Sequence, residues 1–376
     1  MTAGSSGAAG TSAADGRLGA LTMTARVVER DLDVDLRIEP GTVVAILGAN
    51  GAGKSTLLSL IAGLLRPDAG RLDLDGRTLV DTERNLWAPP HRRGVVLLAQ
   101  EPLLFPHLSA VANVAFGPRS KGTPVRDSRD LALRWLAAVD AAEFADRKPA
   151  QLSGGQAQRI AVARALATDP AMLLLDEPMA ALDVGVAPAL RRLLREVLRG
   201  TGRTAVLVTH DILDALSLAD RVVVMEDGRI VEDGPASTVL SQPRSAFAAR
   251  IAGVNLLTGS AAADGLVSAS GLHVQGILGD GCMTGEPAVA VFRPSAVSVY
   301  PQLPHGSPRN GFEVTVTELE PRGDSARVHA VMAADPAVDL LADVTAAAVA
   351  DLDLVPGGSV HFTVKATEVS IYPAAS

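Results

Sequence analysis

Nine consecutive residues, Gly48, Ala49, Asn50, Gly51, Ala52, Gly53, Lys54, Ser55 and Thr56, bring three glycines, a lysine and two hydroxyls together. Glycine loses more backbone freedom on folding than any other residue, so three in one turn imply that bare backbone is what the turn supplies. The spacing is that of G-x-x-x-x-G-K-[ST]. In that pattern the backbone N–H groups wrap a β-phosphate, and the helix that follows aims its positive end at the same anion. Lys54 would reach the β- and γ-phosphates and Ser55 would ligate Mg²⁺. All nine residues are candidate nucleotide contacts.

A phosphate loop does not say what is done with the nucleotide. Asp176 and Glu177 end the apolar run that starts at Ala171. Side chains alternate along a strand, so adjacent carboxylates can take different jobs. Asp176 is expected to hold Mg²⁺ through water, and Glu177 to orient or polarise the attacking water. Further candidates are Ser153, Gly154, Gly155 and Gln156, which open a stretch with helical spacing and have Ser153 as its N-cap. This is a second anion site, far along the chain from the first. One phosphate group does not need two helix ends from one chain, whereas two chains arranged head to tail would use both.

These groups need rigid supports. The continuous apolar runs Thr42–Leu47, Gly94–Ala99, Ala171–Asp176 and Thr204–His210 suit parallel strands covered on both faces. Leu57–Leu65 reads as the helix after the phosphate loop, and Asp227-Gly228 as a hairpin turn between two short strands. Between Glu101 and Gln151 the pattern is helical, most clearly over Asp130–Asp146, and implies a small helical subdomain. The arginines of Leu190–Gly200 fall largely on one helix face and read as a solvated surface. Past Ser241–Asn255 the pattern changes to short glycine-punctuated segments with period-two alternation, as in Phe312–Glu320 and Ser359–Tyr372, and a domain boundary is expected between Gly234 and Gly259. The expected organisation is a tail over 1–20, an α/β domain over 21–240 with the helical part at about 101–155, a linker and the start of an accessory domain over 241–290, and a β-barrel domain over 291–376.

The 376 residues allow two or three domains. A formal charge of −8 and only 3% aromatic residues argue against a nucleic-acid binder, which needs a basic face and stacking surfaces. The single cysteine, Cys282, cannot form an internal disulfide and suits a reducing compartment. No run is long and apolar enough for a spanning helix, and the opening residues lack the pattern of a secretory signal. The expectation is a soluble cytosolic protein that can sit on a membrane partner.

Taken in order, the phosphate loop, Gln100, Leu152–Gln156, Leu173–Pro178, Ala181–Asp183 and His210 resemble the ABC-transporter ATPases over roughly Gly41–Gly234. The resemblance implies a P-loop NTPase fold with a parallel-sheet core, an antiparallel β part and a helical subdomain. It implies a homodimer with ATP and Mg²⁺ sandwiched between the phosphate loop of one subunit and Ser153–Gln156 of the other. By the same resemblance Gln100 contacts Mg²⁺ and the attacking water, Asp183 crosses the dimer interface, and His210 holds the γ-phosphate. Lys54, Gln100, Glu177 and His210 are then the catalytic set, and Ser55, Gln100 and Asp176 the metal set. The family commonly stacks adenine on an aromatic residue ahead of the loop. None is present here, which leaves Val28 and Arg30 as the surface for the base.

Leu103–Val114 resembles the place where importer ATPases receive a helix of the membrane permease. Phe292–Pro301, Gly306–Val328 and Asp343–Tyr372 are similar to the small OB-like barrels, of TOBE or Mop type, carried by molybdate-importer ATPases. That branch implies permease subunits, an extracytoplasmic substrate-binding protein as an indirect partner, and a peripheral position on the cytoplasmic face of the membrane. Thr345 and Lys365 are possible oxyanion contacts, although Ala348 stands where the family often has a serine. Sulfate, iron or another solute, a non-transport ABC ATPase, and an oxyanion-sensing role for the β-domain stay open at this point.

Overall fold

The computed structural model describes residues 19–375 apart from 181, 184 and 305. The tail expected over 1–20 therefore lies, except for its last two residues, outside the described residues. The chain divides into two compact units. One contains the residues up to Val27, Val34–Val43 and Leu58–Val206; the other contains Val28–Asp33, Val44–Leu57 and everything from Leu207 onward.

Strands β1 (Leu21–Val27) and β2 (Leu32–Ile38) alternate buried and exposed residues along their whole length, the pattern of a sheet with one wet face. Strand β3 (Val43–Gly48) is buried at every residue and leads through the phosphate loop into α1 (Lys54–Ala62). Strands β4 (Ala69–Leu74), β5 (Arg77–Asp81) and β6 (Leu86–Trp87) complete an antiparallel sheet in the order β2-β1-β4-β5-β6. Gly70 belongs to this sheet because a Cβ there would lie 2.1 Å from the Thr24 carbonyl oxygen.

In the first unit β7 (Val95–Leu98) runs parallel to β8 (Met172–Asp176), with Val95 opposite Met172 and Leu98 opposite Leu175. Between them come α2 (Ala110–Ser120), α3 (Val125–Ala138) and α4 (Gly154–Ala167), which pack on one another as the expected helical subdomain. Within the amphipathic stretch 130–146, α3 stops at Ala138. Asp140 turns left-handed at φ 53°, and only a 3-10 turn over Ala142–Phe144 follows. Arg159 of α4 donates to the Asp140 carbonyl and fixes that break. Helix α5 (Ala187–Thr201) ends at Gly202 in the left-handed region, a common helix stop.

Strand β9 (Thr204–Val208) is fully buried and precedes α6 (Ile212–Leu218). In the second unit β10 (Arg221–Glu226) lies parallel to β3 and antiparallel to β11 (Arg229–Pro235). The turn between β10 and β11 has Asp227 at φ 45° and Gly228 at φ 73°, the two positive values that a tight hairpin requires. Helices α7 (Ala236–Ser241) and α8 (Ala246–Ala252) follow. The buried carboxylate of Glu232 holds the bend between them by accepting from Arg244 N, Ser245 N and Ser245 Oγ. Its burial raises the pKa of the carboxyl above the usual value.

The remaining chain is β-rich: β12 (Asn255–Ala262), β13 (Gly265–Val267), β14 (His273–Gln275), β15 (Ile277–Leu278), β16 (Pro287–Phe292) and β17 (Ser298–Tyr300), followed by β18 (Asn310–Arg322), β19 (Ser325–Met332), β20 (Asp335–Thr345), a short helix α9 (Ala346–Asp351), β21 (Ser359–Val364) and β22 (Ser370–Pro373). Two sheets result, in the orders β14-β13-β12-β16-β22-β15 and β17-β21-β18-β19-β20. They share one core, in which Leu257, Val274, Ala290 and Ile371 of the first meet Phe312, Val328, Leu340 and Phe362 of the second. Strands from Asn255 onward contribute to this core, so residues within 241–290 supply its first strands. The early strands are short and glycine-punctuated, and β22, from the end of the chain, joins them by pairing with both β16 and β15. The Tyr372 hydroxyl donates to the Pro243 carbonyl at 2.9 Å and ties the last strand to the bend between α7 and α8.

Candidate active site

Each glycine of the phosphate loop has its own physical reason. Gly48 ends β3, where a Cβ would stand 2.4 Å from the Met225 carbonyl oxygen of β10. Gly51 has open space around it but sits at φ 85°, a conformation that L side chains rarely adopt. The loop closes with Ala52 N donating to Ala49 O at 3.1 Å, and Leu57 N donating to Gly53 O starts the helix. Lys54 Nζ donates to the Gly48 and Ala49 carbonyls, both at 2.8 Å, so the ammonium lies against the loop itself. Arg30 Nη1 donates to Thr56 Oγ1 at 3.2 Å, which places one of the two residues expected to carry the base beside this loop. Val28 is exposed.

In the first unit, Met172–Leu175 are buried and Asp176 and Glu177 emerge at the strand end, half-buried. Glu177 has φ 46°, unusual for a residue with a side chain, so the chain turns sharply there. Gln100, just beyond β7, is exposed, and its Nε2 donates to Glu177 Oε2 at 3.3 Å. The parallel pairing of β7 with β8 is what brings these two residues together.

Ser153 caps α4 as expected. Its hydroxyl accepts from Gln156 N at 3.3 Å, and the Gln156 side chain accepts from Ser153 N at 3.0 Å. This reciprocal box fixes the helix start, while the serine O–H remains available as a donor. Gly154 has nothing within 4 Å of a Cβ position, so the first turn is open to an approaching anion. Asp183 is exposed, in the stretch before α5.

His210 follows the buried end of β9 and is exposed. Thr209 Oγ1 donates to Asp214 Oδ2 and accepts from Asp211 N, both at 3.0 Å, while Asp211 caps α6 through Leu213 N. The histidine is thereby held between a strand end and a capped helix. In the β-domain, Thr345 Oγ1 accepts from Ala348 N and caps α9, and Lys365 is exposed after β21. Strands β20 and β21 are not neighbours in the sheet order, and no hydrogen bond joins Thr345 to Lys365 among the described residues.

Two polar residues of α4 drew no attention in the sequence, Gln158 and Arg164. Gln158 is fully buried, and its Nε2 donates to Pro178 O at 3.3 Å. Arg164 donates to Pro102 O and Leu103 O at 3.0 and 2.9 Å. The signal available was their position in a run of small apolar residues, where a polar side chain needs a partner.

A glycine loop between a buried strand and a helix, in a chain that also carries an acidic strand tip and a capped glycine-rich helix, defines a nucleotide-phosphate-binding protein. The comparisons make the class specific. The ABC transporter profile matches residues 32–180 and the TOBE domain profile residues 306–371. The molybdenum import ATP-binding protein ModC of Mycobacterium tuberculosis (strain H37Rv) is 52% identical over 359 residues, covering 94% of this chain and 97% of the relative. The Fe(3+) ions import ATP-binding protein FbpC 1 of Rhizobium meliloti is 37% identical over 82% of this chain and 86% of the relative. Among solved structures, the dimeric bacterial ABC transporter cassette MJ0796 superposes with TM-score 0.52 at 31% identity, over 57% of this chain and 98% of that one. The chain belongs to the ABC-transporter family, as one of its import ATP-binding proteins.

Proposed function

We propose that this chain is the ATP-hydrolysing, energy-coupling subunit of a molybdate importer. One observation carries the solute: the identity of 52% to a molybdenum import ATP-binding protein extends over 94% of the chain and so includes the β-domain, whereas an iron(III) import relative stands at 37%. Two copies would sandwich ATP, each supplying its phosphate loop to one nucleotide and Ser153–Gln156 to the other. The pair would work at the cytoplasmic face of the membrane, on permease subunits served by an extracytoplasmic binding protein. An apolar groove of about 240 Å³, lined by Val96, Leu98, Phe105, Phe116 and Ala161, supports the docking of a permease helix on the helical subdomain.

The residues suit Mg²⁺ by their donor chemistry. No cluster of three or more His, Cys, Asp or Glu that could cage a metal occurs among the described residues. Ser55, Gln100 and Asp176 instead offer a few hard oxygen donors, the set that fits a magnesium ion completed by phosphates and water. When bound, the ion neutralises charge on the β- and γ-phosphates. Lys54 would exchange its loop carbonyls for phosphate oxygens. The loop N–H groups hold the β-phosphate, and His210 and the partner's first α4 turn hold the γ-phosphate. Glu177 accepts from the attacking water and Gln100 aligns it. Positioning and charge stabilisation, with no covalent intermediate, supply the rate.

Replacing Glu177 with Gln should lower ATP turnover by about 10²- to 10⁴-fold while ATP binding persists and a dimer accumulates. Turnover near wild type in Glu177→Gln would remove this role. Proteoliposomes holding the chain with its permease should take up molybdate on ATP addition. Uptake of sulfate or iron in place of molybdate would redirect the solute and leave the ATPase assignment standing.

A further inference from the structure

We propose that α4 acts as a rod joining two nucleotide sites, with Arg164 as the positioning residue for Gln100 and Gln158 as the positioning residue for the turn that carries Glu177. The proposal rests on the ATPase reading above and concerns residues to which that reading gives no role. Five contacts carry it. Gln158 donates to the carbonyl of Pro178, the residue immediately after Glu177, at 3.3 Å. Arg164 donates through Nη1 to Leu103 O at 2.9 Å and through Nη2 to Pro102 O at 3.0 Å. Its guanidinium also lies over the Phe105 ring, 5.5 Å from the centroid. Gln100 Nε2 closes the circuit on Glu177 Oε2 at 3.3 Å.

The circuit therefore runs from α4 to Pro178 and Glu177, across to Gln100, along the chain to Leu103, and back to α4. The two points it grips are backbone conformations that do not hold themselves. Leu103 has φ 43° and Glu177 has φ 46°. Left-handed residues with side chains persist only where their surroundings impose them. Arg164 suits that task because its planar fork presents two N–H groups in fixed geometry, which the single ammonium of a lysine cannot copy. Burial works against its charge and lowers its pKa, and no carboxylate pairs with it among the described residues, so the two carbonyls are what its N–H groups are left to bond.

The first turn of α4 is Ser153–Gln156, which would touch the ATP bound by the partner. The same helix, about 6 to 15 Å further along from Gly154 at a rise of about 1.5 Å per residue, grips the groups that act on the subunit's own ATP. A helix is stiff over that length, so a shift of its start on dimer closure carries the alignment of Gln100 and Glu177 with it.

A double-mutant cycle on the full-length dimer tests this. Arg164→Ala should lower kcat for ATP by about tenfold to a hundredfold, the cost of ångström-scale misplacement of a catalytic group, with KM within about twofold of wild type. In a Gln100→Ala background the same change should alter kcat by less than about twofold, because a residue that acts through another loses its effect when that residue is gone. Arg164→Lys keeps the charge, removes the fork and serves as the second variant should Arg164→Ala fail to fold; it should show the same split and the same non-additivity. Equal losses in both backgrounds, an effect confined to KM, or wild-type kcat in the single variant would each overturn the proposal. Wild-type turnover with loss in Glu177→Gln keeps the ATPase reading in place whatever Arg164 does.

Discussion

Gly48 and Gly51 are both glycines of one loop, yet their replacement by alanine should fail in different ways. At Gly48 the backbone is ordinary, but the added Cβ would meet the Met225 carbonyl oxygen at 2.4 Å and the Ala52 Cβ at 3.1 Å. The nearest obstacle is backbone of the neighbouring strand β10, which cannot swing away as a side-chain tip could. Relief requires β3 and β10 to separate, and overpacking of this kind costs about 1–3 kcal/mol of stability. At Gly51 no atom lies within 4 Å of the new Cβ, and the penalty comes from φ 85° alone. A left-handed non-glycine residue costs about 1–2 kcal/mol. That loop can relax without disturbing the core, so the penalty should appear when phosphate demands the tight form. Gly51→Ala should then weaken ATP binding by about 5- to 30-fold, the equilibrium equivalent of 1–2 kcal/mol, with little change in melting temperature. Gly48→Ala should instead lower the melting temperature by about 2–4 °C for each kcal/mol lost in a domain of this size. Thermal melts and fluorescent-ATP titration of the two variants side by side decide the matter. A Gly51→Ala protein that binds ATP like wild type, or a Gly48→Ala protein that melts like wild type, would refute this account of the loop.

Two further predictions follow from the cap of α4 and from the β-domain. Ser153→Ala removes the hydroxyl that accepts from Gln156 N and should cost about 1 kcal/mol, while Ser153→Gly costs only a few tenths; if both then hydrolyse ATP at the wild-type rate, the hydroxyl has no part in the site. In the β-domain, Arg327 forms a two-point pair with Asp343 at 2.7 and 2.8 Å, and its hydrogen bond holds that carboxyl below the usual value of 3.8. A depressed carboxylate adds stability that is present above its unfolded pKa and lost as pH falls through the folded one. Arg327→Met should therefore be less stable at neutral pH and lose less on acidification below pH 3.8, as read from urea midpoints across that range. An unchanged acid limb would exclude this pair as its source.

The legible parts of the sequence were those in which a short run of residues dictates its own geometry. The phosphate loop, the Ser153 cap and the Asp227-Gly228 turn are local: each needs only a few neighbouring residues, and each took the expected form. The continuous apolar runs marked β3, β7, β8 and β9 because strands buried on both faces admit no polar residue. Alternation in Leu21–Val27 and Leu32–Ile38 was equally readable as an antiparallel, one-sided sheet, but no separate strand was assigned there. The end of α3 at Asp140 was less accessible, since a contact from Arg159 on a distant helix decides it.

The β-domain shows the same limit from another side. Strands β12 to β15 carry few consecutive apolar residues, and their place in the core depends on pairing with β16 and β22, far apart in the chain. Thr345 could be singled out as a hydroxyl, and only the structure shows that its oxygen also caps a short helix.

By itself the sequence determined the kind of chemistry, because phosphate binding by bare backbone requires glycines at set intervals and a lysine directly after them. It also determined which residues could act, since an acid pair at a strand tip and a serine before two glycines are local facts. Only the tertiary structure decided which of them meet. Gln100 reaches Glu177 because β7 lies parallel to β8, and Arg164 reaches the loop after Gln100 because α4 packs across the helical subdomain. Such contacts join residues separated by sixty or more positions. Their cause is the burial of apolar faces of whole elements, and no spacing within a motif encodes it.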